Sequence, residues 1–256
     1  EARIHLSGNL LQAYELCDKA IGLAADTNDL RGLAAARHLK AQVAFNRGNS
    51  EEAIEEIKEA IRLRRQIGDT AKVSVSLNSL GIFLSNCGNY AEALDCCFQS
   101  LRIKEELNDQ RGIATTLVNI GSIYQCLNNT REELKMYERS LKIAHQINDE
   151  RLIAYNSLNV GLLYTNIGQN HLALDYLFGI EKTLLALGDK LNAIKALNNQ
   201  GLIFLRLHDY QRALDRFREC HTLAIEAGNT SGVIASLNNT TEVLIHLQRY
   251  EEALPL

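Results

Sequence analysis

A two-residue turn recurs along this chain at an interval of forty residues. It reads Asn28-Asp29, Gly68-Asp69, Asn108-Asp109, Asn148-Asp149, Gly188-Asp189 and Gly228-Asn229. A fixed period of that length implies one supersecondary unit used many times. Such a unit cannot bury its own apolar face and gains a core only by stacking on its neighbours.

Aligning the chain on this period produces three columns. The first is Ala41, Gly81, Gly121, Gly161, Gly201 and Thr241. The second is Ala13, Ala53, Ala93, Glu133, Ala173, Ala213 and Ala253. The third is Gly8, Gly48, Gly88, Asn128, Gly168, His208 and Gln248. Two amphipathic segments lie between these marks in every repeat. Over 50–67, Ala53, Ile54, Ile57, Ala60, Ile61 and Leu63 share one side, while Glu51, Glu52, Glu55, Glu56 and Glu59 take much of the other. That spacing is helical. The expected helices A are 30–46, 70–86, 110–126, 150–166, 190–206 and 230–246. The expected helices B are 9–26, 50–67, 90–107, 130–147, 170–187 and 210–227, with another starting at 250. Gly or Asn in the third column suits the left-handed residue that closes a helix, and the turn Asp suits the cap of the helix that follows. Glycine inside helix A costs about 1 kcal/mol against Ala. Its recurrence therefore predicts close approach of a neighbouring helix, with the Ala column as the matching surface. Glu133 interrupts that column and predicts looser packing there.

The fold expected is all-α, a solenoid of about six antiparallel helix pairs, forming a single domain over 1–256. Composition agrees, with 46% hydrophobic and 23% charged residues and one proline, Pro255. A net charge of −4 gives no reason to expect nucleic acid. No apolar run approaches a membrane span, and no signal peptide opens the chain. Residue 1 is Glu, as expected of a segment of a longer protein. The cysteines Cys17, Cys87, Cys96, Cys97, Cys126 and Cys220 form no Cys-x-x-Cys and complete no zinc set, so no metal and no cofactor is expected. Most fall at buried helical positions, and read as reduced thiols they favour the cytosol. The aromatic residues Tyr90, Tyr124, Tyr137, Tyr164, Tyr176 and Phe217 fall at packing positions. Catalysis finds no support. The histidines are scattered, no Gly-rich loop could cradle phosphate, and Cys220-His221 point apart on a helix.

The pattern resembles the tetratricopeptide-repeat family. The residues that carry it are Leu77, Leu80-Gly81, Leu84, Gly88-Asn89-Tyr90 and Ala93-Leu94. Ile120-Gly121 with Tyr124, Val160-Gly161 with Tyr164, Gly201 with Tyr210, and Tyr250 with Ala253-Leu254 repeat it. The period is forty rather than thirty-four, and the turn replaces the usual inter-repeat proline. Long repeats of this kind are similar to those of spindle-orientation scaffolds, kinesin light chains and bacterial peptide-sensing regulators.

The resemblance implies a right-handed superhelix with a concave face lined by helix A, and hence a protein or peptide partner. Two residues before the first column lies a ladder of Leu39, Ser79, Asn119, Asn159, Asn199 and Asn239. A carboxamide offers two donors and an acceptor, enough to bond both the N–H and C=O of an extended chain. The same amides could instead bond neighbouring helices and only tie repeats together. Asn78, Asn198, Ile82, Leu162 and Leu202 join the expected peptide-binding set, as do the cations Lys195 and Arg206, placed to receive an acidic side chain or a chain terminus. Tyr155, Leu158, Thr165, Glu242 and His246 are further groove positions. The alternative role is self-association through the repeat ends, or docking within a larger protein, with no free ligand.

Overall fold

Left-handed residues punctuate the chain every twenty positions. In the computed structural model, which describes residues 10–254, positive φ falls at Asn28, Gly48, Gly68, Gly88, Asn108 and Asn128, then at Asn148, Gly168, Gly188, His208, Gly228 and Gln248. Each closes one helix, and the next opens two residues on. At Gly48 the closure is the expected paired arrangement: Gly48 N–H donates to Phe45 O at 2.9 Å and Asn49 N–H to Ala44 O at 2.9 Å. Gly8, Pro255 and the predicted helix start at 9 lie outside the described residues.

The turn carboxylates cap as expected. Asp29, Asp69, Asp109, Asp149 and Asp189 each accept from the backbone N–H three residues on, at 2.9–3.1 Å, and Asn229 does the same at 3.0 Å. Such a bond satisfies an N–H that the helix leaves without a partner and contributes about 1 kcal/mol.

The chain divides into two compact units at Met136–Tyr137. The first contains α1 (Leu10–Asp26), α2 (Leu30–Asn46), α3 (Ser50–Gln66), α4 (Thr70–Asn86), α5 (Tyr90–Glu106), α6 (Gln110–Cys126) and the start of α7 (Thr130–Gln146). Each of α1 to α5 packs on the next, and α4 also touches α6. Ile57, Leu63, Leu84, Leu117 and Ile120 are fully buried. The second contains the rest of α7, then α8 (Glu150–Asn166), α9 (Asn170–Leu177), α10 (Ile180–Ala186), α11 (Lys190–Arg206), α12 (Tyr210–Glu226), α13 (Thr230–His246) and α14 (Tyr250–Ala253). Its core centres on Leu177, Leu184, Leu197, Ile203, Leu214 and Phe217. Full burial of side chains of this size contributes roughly 1.5–3 kcal/mol each.

The helix-A glycines sit where expected, but the close contact is not mainly the Ala column. A Cβ on Gly81 would strike Cys97 Sγ and meet the Ala93 carbonyl; on Gly161 it would strike Leu177, and on Gly201 the Phe217 ring. The larger side chain one helical turn beyond the Ala fills the space that glycine leaves.

Two expectations need correction. The helix predicted over 170–187 is two helices, because Phe178 is extended (φ −77°, ψ 126°) and Gly179 is left-handed at φ 86°. Glu133 stands at the position of the Ala column. It is buried, its Oε1 bonds to nothing, and burial raises its carboxyl pKa against a hydrogen bond from Gln125. Of the aromatic residues assigned to the core, Tyr137 and Phe217 are buried while Tyr90, Tyr124, Tyr164 and Tyr176 are only half-buried. Four cysteines are buried, and Cys87 and Cys126, at the ends of α4 and α6, are exposed.

Candidate functional site

Helix A places its ladder residues at one register, and the structure shows what the amides do there. In the first unit Asn119 Nδ2 donates to Asn78 Oδ1 at 3.0 Å, joining α6 to α4. In the second, Asn239 Nδ2 donates to Asn198 Oδ1 at 2.9 Å, joining α13 to α11. The bond needs Asn two residues before the first column and another Asn three before it in the preceding repeat. Asn199 lacks that partner, since Leu158 stands there, and its amide turns back to the Lys195 carbonyl at 2.8 Å. Asn159 is half-buried, and its side chain bonds to no group among the described residues. An amide pair uses one donor and one acceptor, so Asn119 Oδ1 and Asn78 Nδ2 stay open, as do Asn239 Oδ1 and Asn198 Nδ2. Each pair is thus a fixed acceptor beside a fixed donor.

Ile82, Leu162 and Leu202 are half-buried on the same helices. Leu158 and Thr165, expected in the groove, are buried instead, and the Thr165 hydroxyl donates to the Gly161 carbonyl at 2.8 Å. The two cations do not act together. Eleven residues of α11 separate Lys195 from Arg206, about 16 Å of helical rise. Arg206 Nη1 donates to the Thr165 carbonyl at 2.7 Å, near the end of α8, while Lys195 is exposed. Tyr155 also ties the repeat together, donating its hydroxyl to Asp189 Oδ2 at 2.7 Å. Burial pushes Asp189 upward, but the bonds from Tyr155 and from the Asn192 backbone and amide outweigh it and hold the carboxyl below its ordinary range.

Leu202, Arg206, Glu242 and His246 do converge. With Leu205, His208 and Tyr210 they line a pocket of about 350 Å³. Tyr210 stacks on His246 at 4.9 Å between ring centres and 7° between planes, and His208 stands edge-on at 5.9 Å. His208 Nδ1 lies 3.0 Å from the Tyr210 hydroxyl. Sequence reasoning passed over Leu205, His208 and Tyr210, counting the last two as turn and packing residues. The available signal was histidine in a column otherwise of Gly, Asn and Gln. The pocket has an apolar floor, flat rings, a guanidinium and a carboxylate, which suits a side chain with an apolar body and a polar end. No group of three or more His, Cys, Asp or Glu side chains could hold a metal among the described residues. No described helix is long and apolar enough to cross a membrane.

Residues 34–67 and 72–146 match models of the tetratricopeptide repeat, and residues 164–250 match a model of anaphase-promoting complex subunit 5. No curated protein matches the chain. Solved structures do. The tetratricopeptide-repeat sensor protein of the signal transduction ATPases with numerous domains, from Pyrococcus horikoshii, is 19% identical with a TM-score of 0.77, covering 96% of this chain and 40% of that one. The apo form of RapI is 15% identical with a TM-score of 0.72, covering 94% of this chain and 67% of that one. A Rap protein complexed with Competence and Sporulation Factor is 15% identical with a TM-score of 0.64, covering 93% and 79%. This chain therefore spans about two fifths of the Pyrococcus protein.

Proposed function

This chain belongs to the tetratricopeptide-repeat family, and from that premise we propose that it is a protein-interaction module whose helix-A face holds a peptide or partner segment. The observation that carries this reading is the amide register. Asn78 with Asn119, and Asn198 with Asn239, are fixed donor–acceptor pairs, and Asn159 is an uncommitted amide at the same register of its own helix A. An extended backbone presents the complementary N–H and C=O, so the amides hold it without demanding a sequence. The pocket of Leu202, Arg206, Tyr210, Glu242 and His246 then selects one side chain, while Ile82 and Leu162 supply apolar contact. Lys195, exposed at the other end of α11, meets an acidic residue of the ligand.

The module serves as the sensing or scaffold part of a larger signalling protein in the cytosol. Similarity to a sensor protein of signal transduction ATPases and to a Rap protein bound to a signalling factor supports that setting. The six unpaired cysteines support a reducing compartment. In this reading the chain works by binding protein, and it neither binds nucleic acid nor inserts in a membrane.

Peptides selected from a random twelve-residue library, titrated by calorimetry, test the reading. Replacing Asn159→Ala together with Asn199→Ala weakens binding about tenfold, the loss of one or two net hydrogen bonds, with the melting temperature nearly unchanged. Unchanged affinity sinks the ladder. A second reading is self-association, with no free ligand. Light scattering over a hundredfold range of concentration tests it, and a constant monomer mass rejects it.

A further inference from the structure

The helices B of the second unit carry a feature that the proposed function does not use. Between α10 and α12 lies a groove of about 830 Å³. The corresponding space in the first unit, between α3 and α5, holds about 400 Å³. Three repeats, 120 residues, relate the two, so the chain contains its own control. Lys58 and Arg65 line the smaller groove, and Lys58 pairs with Glu92 at 3.5 Å. At the same register the larger groove has Phe178 and Leu185, 65% and 40% exposed. Leu197 and Leu223 form its floor.

The difference is built into the sequence. Gly179 permits the left-handed residue that interrupts the helix. Gln200, fully buried on α11, donates to the Leu177 carbonyl at 2.6 Å and to Glu181 Oε2 at 3.0 Å. The same register holds Leu80, Ile120 and Val160 in the three preceding repeats, and Lys40 in the first. One repeat thus exchanges a core aliphatic residue for an amide that satisfies the interruption. An interruption maintained this way, beside two large exposed apolar side chains, marks an interaction surface.

The charges around the groove identify what covers it. Its three carboxylates are already engaged: Glu181 by Gln200, Glu219 by Arg216 at 3.0 Å, and Glu226 by Lys190 at 3.3 Å. Lys182 pairs with no carboxylate among the described residues. Arg218 meets Glu252 at 3.2 Å, but Glu252 stands outside the groove, whose own lining sets four cations against three carboxylates. The open charge is therefore positive over an apolar floor. We propose that this groove docks an acidic amphipathic helix of a partner protein, its leucine-sized side chains on Phe178, Leu185 and Leu197 and its carboxylates toward Lys182 and Arg218. It is a second docking surface, on helices B, and does not depend on peptide binding by helices A.

The test uses two synthetic helical peptides with the same leucine stripe, one flanked by Glu and the other by Lys, titrated by fluorescence anisotropy. The Glu peptide binds, and the Lys peptide binds at least about tenfold more weakly. Phe178→Lys with Leu185→Arg, which copies the residues of the first unit, lowers affinity for the Glu peptide about tenfold or more. Lys182→Glu with Arg218→Glu reverses the preference between the peptides, and Asn159→Ala with Asn199→Ala leaves it unchanged. The Phe178, Lys182, Leu185 and Arg218 side chains are exposed, and circular dichroism verifies that helix content is kept. Equal binding of both peptides, indifference to both groove variants, or binding of dodecanoate but neither peptide overturns the proposal.

Discussion

His38 sits almost fully buried on α2 between two cations. Its Nδ1 lies 3.2 Å from Arg64 Nη1, a group that can only donate, so Nδ1 accepts and the ring is neutral. Burial first, then the charges of Arg64 and Lys72, pull its pKa down to about 4. The unfolded chain takes up that proton near pH 6.5. Between about pH 6.5 and 4 the unfolded state therefore binds more protons, and stability falls as pH falls. The expected loss is about 3 kcal/mol, complete below pH 4. Glu133, raised by burial, acts in the opposite sense near the carboxylate range. The difference in denaturant midpoint between wild type and His38→Gln across this range isolates the histidine, and no difference in slope refutes the assignment. At Gly201 a Cβ meets the Phe217 ring, whereas at Gly22 nothing lies within 4 Å. Gly201→Ala accordingly destabilises by about 1–3 kcal/mol through overpacking. Gly22→Ala, on an exposed stretch of α1, stabilises by roughly 0.5–1 kcal/mol through helix propensity. Equal effects at the two sites would mean that the glycine column is not a packing device. The caps and the glycines were legible in sequence because each rests on local chemistry repeated many times. The burial of Glu133 was not, since its effect depends on the few atoms around it.

The helices were legible to within a residue or two wherever forty-residue spacing held, because each boundary there is a left-handed residue and most are followed by a capping side chain. The interruption at Gly179 escaped because a lone Gly in an amphipathic stretch is usually tolerated. What decides it here is Gln200, which lies in another helix and reaches the freed Leu177 carbonyl only once the fold exists. Gln200→Leu, which copies Leu80, removes that bond and leaves Glu181 without its amide donor. The expected loss is about 1–3 kcal/mol, measured by chemical denaturation. A neutral or stabilising result would show that the interruption does not depend on the glutamine. The ladder was legible as a register, but its pairing was not. Asn119 finds Asn78 forty-one residues away, an offset that shows only when two neighbouring helices are placed side by side.

At the scale of the chain, the forty-residue period leads to a single array over 1–256, while contacts gather into two units that meet at Met136–Tyr137. Within each unit, nearest-neighbour packing along the repeats makes unfolding cooperative. Scanning calorimetry resolves a cooperative transition for each unit on this account, and a drawn-out, non-cooperative melt contradicts it. The central claim is that helices A hold the ligand. Hydrogen–deuterium exchange of the chain with and without a library-selected peptide tests it most directly. The account predicts new protection on peptides from α8, α11 and α13 that carry Asn159, Asn199, Leu202 and Asn239, with α10 and α12 unchanged. Protection confined to α10 and α12, or absent while the peptide is bound, contradicts it.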